Sequence, residues 1–160
     1  MKPFRLKKTP LSLLLILLTL AGEVLSVSAE PQSRLTEEKS MRNQTDIILN
    51  IDGSIVQVRL ADSVATRDFL AQLPLTLEFE DYHGIEKVSD LPSRLSTDDA
   101  PAGFDPQVGS FTYYAPWGNL AIFYQDFGYA NSLVNLGTVV SGMKHLKRSE
   151  RFTATISLAP

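Results

Sequence analysis

Apolar and polar positions alternate with a two-residue period in several stretches between Ile47 and Leu158. Ile47, Leu49 and Ile51 share one face of a first predicted strand, with Ile48 breaking strict alternation. Asp52-Gly53 follows, and then Val56, Val58 and Leu60 alternate with polar residues. Two β-branched runs around Asp-Gly predict a hairpin, because that turn needs positive φ. One face of the pair is expected to be buried and the other mostly wet.

The period then changes. Ala65, Phe69, Leu70 and Leu73 fall on one stripe at helical spacing, with Asp62 or Ser63 placed to cap it. Pro74 ends the helix, since the residue before proline is pushed out of the α region. Leu75, Leu77 and Phe79 return to alternation against Thr76, Glu78 and Glu80, which predicts a half-buried strand. Tyr82 to Asp90 reads as a turn and then a strand. Ser93 to Gln107 holds Pro101, Gly103 and Pro106 and reads as a long loop, a place where function often lies. Phe111 to Tyr114, Asn119 to Tyr124 and Leu133 to Val140 are further predicted strands, the second apolar enough to be buried on both faces. Gly137 predicts a bulge or close packing. Ser141 to Arg148 predicts a short helix, and Phe152 to Leu158 a closing strand. About eight short strands and two short helices in roughly 115 residues predict a mainly β domain closed into a barrel.

The N-terminal segment follows a different pattern. Lys2, Arg5, Lys7 and Lys8 form a basic region, Leu11 to Ala21 is almost wholly apolar, and Val27-Ser28-Ala29 supplies small residues. That is the form of a signal peptide cleaved after Ala29, on an apolar run short for the ~20 residues a bilayer core requires. The expected organisation is a signal peptide over 1–29, a polar flexible leader over 30–45 and the barrel over 46–160. The expected location is periplasmic or secreted. The whole chain carries 15 basic and 18 acidic residues; cleavage would remove four basic residues and Glu23, leaving a net charge of −6. That balance disfavours nucleic acid and an anionic membrane surface as partners once the signal is gone. There is no cysteine, which removes disulfides, thiolate metal sites and a cysteine nucleophile.

Candidate chemistry is sparse. His83 and His145 have no metal-ligand spacing to each other. Glu78 and Glu80 share the wet face of one strand. Asp98-Asp99 lacks the ligand pattern of a calcium loop. Neither a nucleophile elbow nor a phosphate-binding glycine loop is present, and no cofactor signal emerges. Aromatic residues are dense between Phe111 and Tyr129, and Trp117 sits between Pro116 and Gly118 at a turn. A turn tryptophan with tyrosines nearby is suited either to packing or to lining an apolar pocket.

Four stretches resemble cyclophilins, in that family's order: Thr66-Arg67-Asp68-Phe69; Tyr82-His83-Gly84 with Leu91-Pro92; Gln107-Val108-Gly109-Ser110-Phe111-Thr112; and Leu136-Gly137-Thr138-Val139-Val140-Ser141-Gly142-Met143. The chain is still more similar to small bacterial cyclophilin-like proteins of unassigned function, through Arg67-Asp68-Phe69-Leu70, Leu73-Pro74-Leu75-Thr76-Leu77, Leu95-Ser96-Thr97 and the run Tyr114 to Tyr124. The resemblance implies a cyclophilin-like barrel. In cyclophilins an arginine donates to the prolyl nitrogen during cis/trans isomerisation. On an ungapped match that arginine falls at Ser89, with its flanking Phe and His at Lys87 and Val88. Gln107 matches the family's active-site glutamine, and Arg94 is the nearby loop cation. The expectation is therefore a binding module without standard prolyl isomerase catalysis, taking a peptide segment or a small apolar ligand on Gln107, Tyr114, Trp117, Phe123 and Arg94. The alternative is a prolyl isomerase with a rearranged or weak site that uses Gln107 and Arg94.

Overall fold

A computed structural model describes residues 44–160. The predicted signal peptide and nearly all of the leader lie outside the described residues. The expected hairpin joins β1 (Asp46–Ile51) to β2 (Ser54–Leu60). Asp52 and Gly53 both have positive φ, 51° and 84°, and Asn50 Oδ1 accepts from the Gly53 N–H at 2.9 Å. Ile47, Leu49 and Ile51 pair across to the buried Val58, Val56 and the chain start of β2, so one face of the hairpin enters the core. Ile48 is half-buried on the other face, which accounts for the broken alternation.

Helix α1 (Val64–Leu70) starts at Ser63, whose Oγ accepts from the Thr66 N–H at 3.0 Å. Such a cap satisfies one of the donors that a helix start leaves free. Ala65 and Phe69 face the core, with the Phe69 ring edge-on to Phe111 at 5.5 Å between centroids. The chain continues through β3 (Leu75–Tyr82), β4 (Glu86–Asp90), β5 (Gly103–Phe104), β6 (Ser110–Tyr114), β7 (Asn119–Phe123), β8 (Ala130–Asn131), β9 (Leu133–Ser141) and β10 (Phe152–Leu158). Eight of these close into an antiparallel barrel in the order β1-β10-β3-β4-β7-β6-β9-β2. Closure pairs the first strand with the last and leaves no free edge within the barrel. Its interior is filled by alternate residues of seven of its eight strands, including Val56, Phe79, Phe111, Leu120, Ile122, Leu136, Phe152 and Ile156. Burying each large apolar side chain contributes about 1.5–3 kcal/mol.

Two details differ from the sequence expectation. The stretch after Val140 is not a helix of eight residues: β9 runs on to Ser141, and only Met143–His145 forms a 3₁₀ turn. Gly142 has φ 81°, and a Cβ there would stand 2.2 Å from the Ile55 carbonyl oxygen. The backbone therefore crosses β2 too closely to begin a helix at Ser141, and Leu146 drops into the core instead. The long loop also holds β5, which pairs with β8 over two residues, a ladder too short to leave a period.

The mouth formed by the end of β3 and the start of β4 is closed by a charge. Lys87 points inward with none of its side chain exposed. Its Nζ donates to Asp81 Oδ1 at 2.6 Å and to the Arg148 carbonyl. Tyr124 Oη donates to the same carboxylate oxygen.

Candidate functional site

The outer surfaces of β4 and β7 run side by side in register, with Glu86 opposite Phe123, Val88 opposite Ala121 and Asp90 opposite Asn119. All five residues of β7 are buried, so this strand is covered on both faces as its apolar run predicts. Its outward residues Ala121 and Phe123 pack with Leu133, and Tyr114, Val88, Phe104 and Ala130 lie against that small cluster. Three largely exposed rings border it: Trp117, 58% exposed, and Phe127 and Tyr129 from the segment after β7, with Phe127 stacked on Phe123 at 6.1 Å between centroids.

The turn between β6 and β7 fixes Trp117. Gly118 has φ 79°, and its N–H donates to the Tyr114 carbonyl at 2.9 Å. Arg94 Nη1 donates to the Ala115 carbonyl at 2.7 Å and Nη2 to the Pro116 carbonyl at 3.4 Å. The Trp117 ring stands at 82° to Tyr114, 5.4 Å away, and at 82° to Tyr82, 5.7 Å away. Two adjoining hollows of about 470 and 450 Å³ share Tyr82, Val88, Trp117 and Asn119 as lining. They form one groove along the barrel side. One end is polar, with Glu78, Glu80, Ser89 and Asp90. The other is aromatic, with Tyr114, Phe123, Phe127 and Tyr129 around Glu86.

Burial pushes the Glu86 carboxyl up to about 7, because desolvation penalises the charged form. Asn119 is 3% exposed; its Nδ2 donates to the Leu120 carbonyl at 3.1 Å, while its Oδ1 has no partner. Glu78 and Glu80 are bridged by Arg151, at 3.2 and 2.8 Å. Among the described residues, no lysine or arginine lines either hollow. A separate recess of about 90 Å³ lies between α1 and the 96–104 loop and is too small for more than a few waters.

Tyr114, Trp117 and Phe123, three of the residues expected to line a pocket, come together in the aromatic half of the groove. The other two do not. Arg94 is spent on the carbonyls of the Trp117 turn, with its guanidinium against Gly118. Gln107 is exposed in the loop before β6, where its N–H donates to Ser110 Oγ at 2.9 Å and its Nε2 to the Pro106 carbonyl at 3.3 Å. The groove adds Tyr82, Glu86, Asn119, Phe127 and Tyr129. Three of these left a trace in the sequence: Phe127 and Tyr129 close the aromatic stretch that begins at Phe111, and Asn119 opens an otherwise apolar strand.

A closed eight-stranded antiparallel barrel with one helix at a mouth and a groove on its side defines a cyclophilin-like architecture. The chain belongs to the Cyclophilin-like family, which residues 49–157 match. The solution structure of a hypothetical protein from Archaeoglobus fulgidus is similar in fold, with a TM-score of 0.54 at 14% identity, over 72% of this chain and 95% of that one. No curated protein matches the sequence.

Proposed function

We propose that this chain is an exported binding module that holds a peptide segment or a small apolar ligand in the groove beside Trp117, without prolyl isomerase chemistry. The observation that carries the reading is the meeting of Tyr82, Tyr114, Trp117 and Phe123 around one open groove on a rigid barrel. A concave, mainly apolar surface with a few convergent polar groups is the usual form of a ligand site. Isomerisation would need a cation able to donate to the prolyl nitrogen. Arg94 is engaged with the backbone of the turn, and Gln107 lies off the groove lining. The basic, apolar and small-residue blocks before Glu30 support export.

Two-dimensional exchange NMR of the chain from residue 30 onward with an X-Pro peptide tests this. The expected result is shifts clustered at Trp117, Tyr114 and Phe123, with prolyl exchange left at its uncatalysed timescale of about 10–100 s. Exchange accelerated at catalytic protein levels, and lost in Arg94→Ala or Gln107→Ala, would establish the isomerase alternative. Absence of any shift, with peptides or with small apolar compounds, would sink the groove reading. N-terminal sequencing of the secreted protein should begin at Glu30.

A further inference from the structure

Resting on the groove reading above, we propose that the aromatic half of the groove takes an uncharged ligand by its carbonyl oxygen, which accepts a hydrogen bond from Glu86 in its acid form. The groove lets that ligand go as Glu86 ionises. Glu86 is an outward position of β4, opposite Tyr82 of β3 and Phe123 of β7. Tyr114, Trp117, Phe127 and Tyr129 line the same hollow of about 450 Å³. The carboxyl is half-buried among these rings, and no hydrogen bond or charge from the described residues offsets that burial. A carboxyl taken from water without a partner gives up its charge rather than stay ionised. It then carries an O–H, and a neutral acid in an apolar site is a hydrogen-bond donor.

The groups around Glu86 favour that acid form. Lys87, the next residue, points into the barrel, to Asp81. Arg151 is taken by Glu78 and Glu80, and Arg94 by the turn carbonyls. Glu80 and Asp90 line the polar half, where their charge opposes a further negative one nearby. The phenols of Tyr82, Tyr114 and Tyr129 face the hollow, while Asp126 is turned to the Val108 N–H. His83 lies outside the lining, its ring at 82° to Tyr82 and 4.3 Å away. The ligand's chemistry follows. A carbonyl brings an acceptor to the acid and no charge beneath the rings, which take the apolar part of the molecule. An anion would meet an acid flanked by carboxylates, and an ammonium would bring donors to a donor. A ligand seated there covers the carboxyl further, so ligand and proton strengthen each other's binding. A peptide amide and a small amide offer the same acceptor.

Trp117 is the chain's single tryptophan and lines the hollow, so its fluorescence reports on it. N-Methylhexanamide, a capped alanine pentapeptide with a central leucine, and n-hexylammonium are each titrated into the purified protein, with amide shifts as a second readout. The expected result is that amide binding weakens at least about tenfold from about pH 5.5 to about pH 8.5, because an acid held up to about 7 is almost fully ionised at the higher value. n-Hexylammonium should bind less tightly than either amide at the lower pH. Glu86→Gln, its fold checked by amide spectra, carries a donor at every pH and should level the affinity across the range. Histidine is the ordinary switch in this range, and His83→Gln should leave the dependence in place. The tighter of the two amides names the source, peptide or small molecule. Equal amide binding at both pH values, or a dependence that survives Glu86→Gln and vanishes in His83→Gln, would overturn the acid contact and leave the groove reading standing. n-Hexylammonium binding more tightly than both amides at the lower pH would overturn it equally. If no probe perturbs Trp117 at either pH, both this proposal and the groove reading fall.

Discussion

Glu86 sits where its strand puts it, on an outward position between Tyr82 of β3 and Phe123 of β7, and its neighbours keep water from its carboxyl. The folded protein therefore holds that proton up to about 7, against an ordinary value of 4.5. Between those values the folded state binds more protons than the unfolded one, so stability falls as pH rises through the window and stays lower above it. Glu86→Gln removes the charge and keeps the shape. Urea unfolding should show the variant more stable than the parent by about 1 kcal/mol near pH 8, a figure reduced for solvent screening of a half-buried site, and equal to it near pH 4. An equal gain at both values would mean that the carboxyl does not titrate in this way.

At the scale of elements, the turns are where the backbone is most constrained. Gly142 carries the chain from β9 into the 3₁₀ turn at φ 81°, hard against the Ile55 carbonyl. Gly142→Ala meets both a disfavoured φ and a steric clash with backbone, and should cost more than about 1 kcal/mol in chemical denaturation. Gly53→Ala, with open space around the site, should cost less. The two glycines also mark what could be read in advance. Asp52-Gly53 announces its hairpin locally, because the turn's chemistry lies in those two residues. The close approach at Gly142 depends on Ile55, far away in the chain, so the polar stretch after it reads as helical by default. The site divides the same way. Trp117, Tyr114 and Phe123 were legible because aromatic density and a Pro-Trp-Gly turn are local signals. Tyr82 joins them only through the pairing of β3, β4 and β7, and Arg94 reads as a groove cation until its carbonyl partners in the turn are placed.

For the molecule as a whole, the barrel depends on a buried charge at one mouth. Lys87 links Asp81 at the end of β3 to the Arg148 carbonyl in the segment before β10. The Lys87 hydrogen bond, then that from Tyr124, hold the Asp81 carboxyl below its usual value of 3.8, and burial followed by the same contact pushes Tyr124 up to about 12. A lowered carboxyl contributes stability that is full above the unfolded value and lost as pH falls through the folded one. Asp81→Asn leaves Lys87 buried without its counter-charge and should destabilise the protein by about 3 kcal/mol at neutral pH, with the gap narrowing in acid melts. A variant as stable as the parent at neutral pH would show that Lys87 finds another partner. The closure itself has a mechanical consequence. β1 lies beside β10 with Ile47 opposite Leu158, and the Ala159 N–H donates to the Asp46 carbonyl at 2.9 Å. The chain thus enters β1 and leaves β10 at one corner of the seam. Tension applied between those two points loads the ladder one hydrogen bond at a time, as a zipper opens, rather than shearing all its bonds together. Stretched by its ends, this barrel would yield at low force however stable it is to heat.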